Sequence, residues 1–291
     1  MGQLDSTVPA IRVRDLKKHE ATIKGCAFHE SLGQGFLSAD SKNITFNDNV
    51  LFGTERNAVL IRGSSNVEML GNLIIGNNYR NYIEGETKVN DYQVAVDICV
   101  GERISSCTNL LVQNNVVAGG HGIAYTAITA DCSSDIARNA TEKTFVNNVA
   151  HSTGVGLIAH IDNAREQPQC ALVANFTAHH SSVVAVQSRY YFSNVQAEHL
   201  VLVDHQVGLE LGLANGDNPN GNITLSDSLI IGEHRDTIDC EHEIERLGTR
   251  KVGMFSGVAY ARYLELPYSY PSSGRFHSVN AAAPKGKEMM V

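Results

Sequence analysis

Apolar runs of four to six residues recur along the chain, broken by short polar steps. Ile23–Phe28, Phe46–Leu51, Met69–Ile74, Val112–Val117, Phe145–Ala150 and Leu172–Thr177 share one pattern. Each is an apolar strand, a two-residue polar step, then a ladder residue at the head of a second apolar stretch. A weaker copy ends in His199-Leu200-Val201, and the last is Leu225–Ile230. The ladder residues are Cys26, Asn49, Asn72, Asn115, Asn148, Asn175, His199 and Ser228. The first two steps are 23 residues each, within the 20–30-residue repeat of a solenoid. Longer steps carry insertions, at Asn77 to Asp91 and around Thr129 to Glu142, which a solenoid loops out at its turns.

A second strand follows in each repeat. Alternation points Val59 and Ile61, Val96 and Ile98, Leu157 and Ala159, and Leu209 and Leu211 inward. The runs are too short, and too often interrupted by Asn and Gly, for helices. The pattern predicts an all-β fold, a single-stranded parallel β-helix with rung stacked on rung. Asn accepts the left-handed backbone of a tight turn. Identical amides about 4.8 Å apart in successive rungs can hydrogen-bond in a stack. The expected organisation is a lead-in or cap over 1–20, the coil over 21–260, and an irregular tail over 261–291. In that tail Pro267 and Pro271 remove ladder donors.

Composition agrees with many short strands: of 291 residues 25 are Gly, only 6 are Pro and none is Trp. Hydrophobic residues make up 43%, enough for a long core, and charged residues 19%. The net charge is −8 with no Lys/Arg run, so no nucleic-acid partner is expected. No apolar stretch reaches the ~18 residues of a membrane span, so no direct membrane insertion by this segment is expected. Residues 1–20 lack the apolar centre of a signal peptide. The chain is therefore read as cytosolic or as a piece of a larger secreted protein.

Candidate chemistry is sparse. Alternation places Arg62, Asp97, Thr126, His160 and Gln187 roughly in one outward column. We read this column as a solvated sheet face. The alternative is a carbohydrate-active face on which Arg62, Asp97 and His160 serve as charge clamp, base and acid. No CxxC or His-Cys spacing suggests a metal, and no cofactor is expected. Sequons start at Asn43, Asn139, Asn175 and Asn222. Asn139, in an insertion, is the most accessible; Asn43 and Asn222 are further candidates; Asn175, as an inward ladder residue, should be unusable. Cys26 should be a buried, inert thiol. Cys99 and Cys107 bracket a short loop and form a candidate pair, Cys240 has no evident partner, and the alternative is that all six cysteines are reduced.

Thr22-Ile23-Lys24-Gly25-Cys26-Ala27-Phe28-His29 resembles the opening of the β-helix segment of fibrocystin and fibrocystin-L, large ciliary and cell-surface ectodomain proteins. The likeness continues through Asn115–Gly119, Asn148–His151 and Ser228–Gly232, and covers roughly residues 20 to 240. The resemblance implies a right-handed, extracellular β-helix without a catalytic role. A related branch of hyaluronan-degrading proteins shares the architecture. The family's preceding immunoglobulin-like repeats are not visible here, so the chain is a fragment or a pared-down relative. The family's cysteines in similar places look paired, which implies a Cys132–Cys170 disulfide. Two functions result. The first is a non-catalytic structural or adhesion module of a ciliary or cell-surface glycoprotein, with other extracellular domains or subunits, and glycans, as partners. The second is a polysaccharide lyase, hydrolase or glycan-binding module.

Overall fold

A computed structural model describes residues 9–31, 33–77, 94–99, 107–120, 122–128, 130–131, 143–160, 170–189, 194–205, 207–213, 223–232 and 258–262. Its regular elements are all strands. The first rung is β1 (Ile11–Arg14), β2 (Ala21–Lys24) and β3 (Ala27–His29). The second is β4 (Phe36–Ala39), β5 (Lys42–Asn47) and β6 (Val50–Phe52). The third is β7 (Val59–Arg62), β8 (Ser65–Leu70) and β9 (Leu73–Ile75), and the fourth β10 (Val94–Ile98), β11 (Leu110–Gln113) and β12 (Val116–Ala118). The fifth is β13 (Ile123–Ile128), a short β14 (Ala130–Asp131), β15 (Lys143–Val146) and β16 (Asn148–His151). The sixth is β17 (Val155–His160), β18 (Cys170–Ala174) and β19 (Phe176–His179). The seventh is β20 (Val184–Arg189), β21 (Asn194–Glu198) and β22 (Val201–His205). The eighth is β23 (Val207–Leu213), β24 (Ile223–Ser226) and β25 (Leu229–Gly232), and β26 (Val258–Arg262) follows.

Strands of equivalent position stack into parallel sheets, which makes the chain a parallel β-helix. Sheet A holds nine strands, β1-β4-β7-β10-β13-β17-β20-β23-β26. Sheet B joins β2, β5, β8, β11 and β15, and sheet D joins β18, β21 and β24 on later rungs, with β14 paired antiparallel on β18. Sheet C holds eight, β3-β6-β9-β12-β16-β19-β22-β25. The coil thus already includes Ile11–Arg14, within the segment read as a lead-in, and reaches Arg262 through β26. The tail beyond 262 lies outside the described residues.

Alternation does what the apolar pattern asks. Phe36, Val59, Val96, Tyr125, Leu157, Val186 and Leu209 form one inward column of sheet A, all of them buried. Against them pack Phe46, Met69 and Val112 of sheet B and Leu51, Ile74, Val117 and Leu202 of sheet C. At the corner where each rung enters sheet A, a column of small residues runs Gly35, Ala58, Ala95, Ala124, Gly156, Ala185, Gly208. A Cβ at Gly35 would lie 2.7 Å from a methyl of Leu51, and one at Gly156 would lie 2.4 Å from the Ala185 carbonyl oxygen and 3.2 Å from the Ala178 Cβ. The corner admits nothing larger, because sheet C presses against it.

The Asn stack occupies the corner between sheets B and C. Asn49, Asn72, Asn115 and Asn148 are fully buried. The Asn72 Oδ1 accepts from the Asn49 backbone N–H and Nδ2 at 3.0 and 3.1 Å. Asn115 Oδ1 does the same for Asn72, and Asn148 Oδ1 for Asn115. Each amide then donates to an inner carbonyl such as Ile23, Phe46, Met69 or Val112. Interior polar groups are satisfied along the whole stack, avoiding about 1–3 kcal/mol for each one left unpaired.

The register of the last rungs differs from the sequence reading. Asn148 is aligned with Phe176, not Asn175. Phe176 is fully buried against Tyr125 and Phe145, so the amide stack ends there and an aromatic cluster takes its place. Asn175 is exposed, with φ 51°, in the turn column that precedes the ladder. That column, Gly25, Asp48, Gly71, Asn114, Asn147, Asn175, His199 and Asp227, has positive φ throughout. His199 therefore belongs to it, and Leu200 takes the inward place, its N–H donating to Ser228 Oγ at 3.1 Å. Cys26 also differs from its expected burial. It sits at the ladder position, where its N–H donates to Asn49 Oδ1, but in the first rung it is exposed.

Candidate functional site

The outward side of sheet A holds the sequence-predicted column. Register separates its members. Asp97, Thr126, Ile158, Gln187 and Glu210 align with Leu60. Arg62 and His160 stand two residues further along their strands, in the line of Ile128 and Cys99. Two residues along a strand is about 7 Å, and His160 is also two strands from Asp97, a further ~10 Å. Asp97 therefore lies on a different line of the sheet from Arg62 and His160.

The Asp97 column is not a solvated face. Leu60, Thr126, Ile158, Gln187 and Glu210 are all buried. Thr126 Oγ1 donates to Asp97 Oδ1 at 3.1 Å, and Gln187 Nε2 donates to Glu210 Oε2 at 2.9 Å. The apolar Ile158 separates the two pairs, which link adjacent rungs as the Asn stack does at its corner.

A second group of titratable residues gathers where sheet C turns towards sheet A. The rings of His151 and His179 are 6.3 Å apart, and His180 meets His151 edge-on at 5.5 Å. His151 Nδ1 is 2.9 Å from Ser152 Oγ, and His180 Nδ1 pairs with Asp204. Burial lowers the His179 pKa, and His151 and His180 beside it lower it further. His205 is buried beneath this group. Its Nδ1 accepts from the Ser181 N–H at 2.9 Å, which leaves Nε2–H to donate to the Ala178 carbonyl at 3.0 Å. This bonding suits the neutral ring, and burial lowers its pKa. Among the described residues no set of three or more His, Cys, Asp or Glu is placed to hold a metal ion.

The apolar pattern alone does not show that His151 lies beside His179 and His180, a rung away. A second Asn stack was also missed. Asn66 Nδ2 donates to Asn43 Oδ1 at 2.9 Å, and Asn109 Nδ2 to Asn66 Oδ1 at 2.8 Å, on the exposed side with positive φ at each. Its signal was present, as Asn at 43 and 66 repeats at the 23-residue step. Asn43, a sequon residue, is the exposed end of this stack. Asn139 and Asn222 lie outside the described residues. Cys99 and Cys107 are joined by a disulfide with Cα atoms 6.3 Å apart. Cys132 lies outside the described residues, as does Cys240.

A cavity with room for about one water lies between sheets C and A, beside Asn77, Gly119, Gly120 and Thr153. It is too small for a sugar ring. No helix among the described residues is long and apolar enough to cross a membrane.

The fold and these features define a β-solenoid whose polar columns link adjacent rungs. Its similarity to known proteins is to fibrocystin and fibrocystin-L. It is 28% identical to mouse (Mus musculus) fibrocystin-L over 184 residues, 60% of this chain and 4% of that protein. It is 26% identical to dog (Canis lupus familiaris) fibrocystin over 223 residues, 74% of this chain and 5% of that protein. Human (Homo sapiens) fibrocystin-L matches over 184 residues at 28%. The matched segment is about one twentieth of the length of these relatives. No family model matches the chain, and no solved structure does.

Proposed function

We propose that this chain is a non-catalytic structural or adhesion module of a ciliary or cell-surface glycoprotein, comparable to the β-helix segment of fibrocystin-type proteins. The observation that carries the reading is the outward column of sheet A. Its polar groups bond to one another between rungs, at Thr126–Asp97 and Gln187–Glu210, while Arg62 and His160 stand apart from them. A catalytic site needs an acid and a base within hydrogen-bond reach of one substrate atom, and a pocket that buries the substrate. The relatives support the extracellular setting, and the Cys99–Cys107 disulfide is of the kind that persists in oxidising compartments. Other extracellular domains or subunits, and glycans, are the partners this reading proposes.

The test joins a secretion signal to the chain in cultured mammalian cells and incubates the secreted protein with hyaluronan, chondroitin sulfate and pectin. The expected result is a secreted, folded, glycosylated protein that leaves polymer length unchanged. Retention inside the cell overturns the extracellular setting. Shortened polymer, lost in Asp97→Asn, overturns the non-catalytic role and restores the carbohydrate-active alternative.

A further inference from the structure

The outward side of sheet C is largely apolar over its whole length. Its strands present two outward columns. One runs Ala27, Val50, Leu73, Val116, Val149, Thr177, Val201, Leu229. The other runs His29, Phe52, Ile75, Ala118, His151, His179, Val203, Ile231. Twelve of these residues are apolar, the others are Thr177 and three histidines, and none is Asp, Glu, Lys or Arg. All are exposed or half-buried, with Leu229 at 52% and Phe52 at 51%.

Sheet B shows that a β-helix face in this chain need not look like this. The equivalent outward residues of β2, β5, β8 and β11 are Thr22, Lys24, Thr45, Asn47, Glu68, Leu70, Leu111 and Gln113. Six of those eight are polar or charged. The apolar character of sheet C is thus a property of that side and not of the coil.

We propose that the outward face of sheet C is a self-association surface, on which a second copy of this chain docks sheet to sheet. Size is the first argument. Eight strands at about 4.8 Å spacing make a strip about 34 Å long, longer than a single exposed side chain or a chance patch explains. The sixteen outward residues, with the nearer turn residues on either edge, reach the ~20–30 residues per side of a stable protein–protein interface. Periodicity is the second. Side-chain rows repeating at the strand spacing interdigitate best with rows of the same spacing, as in packed sheets ~10 Å apart. A second copy supplies such rows by construction, and a two-fold pair makes the contact self-complementary. The third argument is the rim. Four of the eight residues along one edge of the strip, Gly53, Gly76, Gly119 and Gly232, present no side chain to a facing sheet; the others there are Glu30, Ser152, His180 and Asp204, of which His180 and Asp204 pair with each other. The strip itself has no Asp, Glu, Lys or Arg side chain to oppose its own copy, although the chain carries a net charge of −8. The proposal stands whether or not the module is extracellular.

The test measures the mass of the full chain by sedimentation from low to high micromolar concentration at neutral pH. The expected result is a shift from 31.5 kDa to twice that value in the wild type. The doubly substituted Phe52→Lys/Leu229→Lys chain is expected to remain monomeric with an unchanged β-sheet circular dichroism spectrum. If the lysine variant does not fold, the Val50→Thr/Val201→Thr/Leu229→Thr chain replaces it, since Thr suits a strand. Its dimer dissociation constant is expected to rise at least ~10-fold, a coupling of about 1.4 kcal/mol. A wild type that stays at 31.5 kDa throughout overturns the proposal and leaves the strip to a different partner. A folded variant that associates as the wild type does overturns it too, and assigns association to another surface.

Discussion

Asn115 Oδ1 accepts both the backbone N–H and the side-chain amide of Asn72, at 3.0 and 2.8 Å, although 43 residues separate them. Asn115 Nδ2 returns bonds to the Met69 and Gln113 carbonyls at 2.9 and 3.1 Å. Asn115→Ala removes an acceptor from two buried donors and a donor from two carbonyls. The expected destabilisation is about 3 kcal/mol or more. It is read as a lower urea midpoint at unchanged slope; a loss below about 1 kcal/mol would mean that water replaces the amide.

Asn175 should behave otherwise. It is exposed and holds φ 51° in the turn column. Asn175→Gly keeps the one property the position requires, so its unfolding free energy should change by no more than about 0.5 kcal/mol. A cost matching that of Asn115→Ala would place Asn175 back in the stack.

The corner of small residues makes a steric prediction. At Gly156 a methyl group meets the Ala185 carbonyl, which belongs to the backbone of the next rung and has no room to yield. Gly156→Ala should cost about 2 kcal/mol or more by overpacking. At Gly232 an added Cβ finds no atom within 4 Å. Gly232→Ala is the matched control and should be nearly neutral in the same unfolding titration.

Most of the coil was legible because its cause repeats. Inward positions at 59 and 61, 96 and 98, and 157 and 159 recur as alternating apolar pairs, and burial repeats with them. The sixth rung was misread because two turn-type residues stand together in the rungs before it. Asn114-Asn115 and Asn147-Asn148 each supply one turn residue and one stack residue, and nothing local says which is which. At Ala174-Asn175-Phe176 the inward place goes to the aromatic ring, since Tyr125 and Phe145 already line that stretch of the core. The outward column of sheet A was legible only as a face. Which residues share a line depends on insertions of unequal length between rungs, and these separate Arg62 and His160 from Asp97. The histidine group at 151, 179 and 180 depends on the same spacing.

His205 gives the fold a pH dependence with a definite sign. Burial lowers its pKa below the ordinary 6.5, and His179 adds to this, while the nearby Asp204 and the Ala178 carbonyl oppose it. Between the folded and unfolded values the unfolded chain holds more protons, so stability rises with pH through that window. The contribution is present in full above pH 6.5 and is lost as pH falls towards the folded value. His179, lowered for similar reasons, acts in the same direction. The unfolding free energy should therefore decline as pH falls from 7 towards 5. His205→Asn should be less stable at pH 7 but decline less steeply. An identical slope in the two proteins would remove His205 as a source of the effect.

The disulfides can be assigned chemically. Cys99 directly follows β10 of the fourth rung and Cys107 precedes β11, so their bridge closes an interval of 8 residues. Closing so short a loop restricts the unfolded chain by about 2.5 kcal/mol in the loop-entropy account. For Cys132 and Cys170 the argument is one of adjacency. The antiparallel pairing of β14 with β18 aligns Asp131 with Ala171. Cys132 follows Asp131 in sequence and Cys170 precedes Ala171, so each cysteine neighbours one member of that pair. We propose that they are bridged in the secreted protein, as the resemblance to fibrocystin implies. Proteolysis under non-reducing conditions, followed by mass spectrometry, should recover both linked peptides, Cys99 with Cys107 and Cys132 with Cys170. Cys26, exposed on the first rung, should be alkylated without reduction. Recovery of Cys132 linked to Cys240 would refute the second pair while leaving the first intact, because β14 and β18 pair through their backbones whatever their neighbouring thiols do.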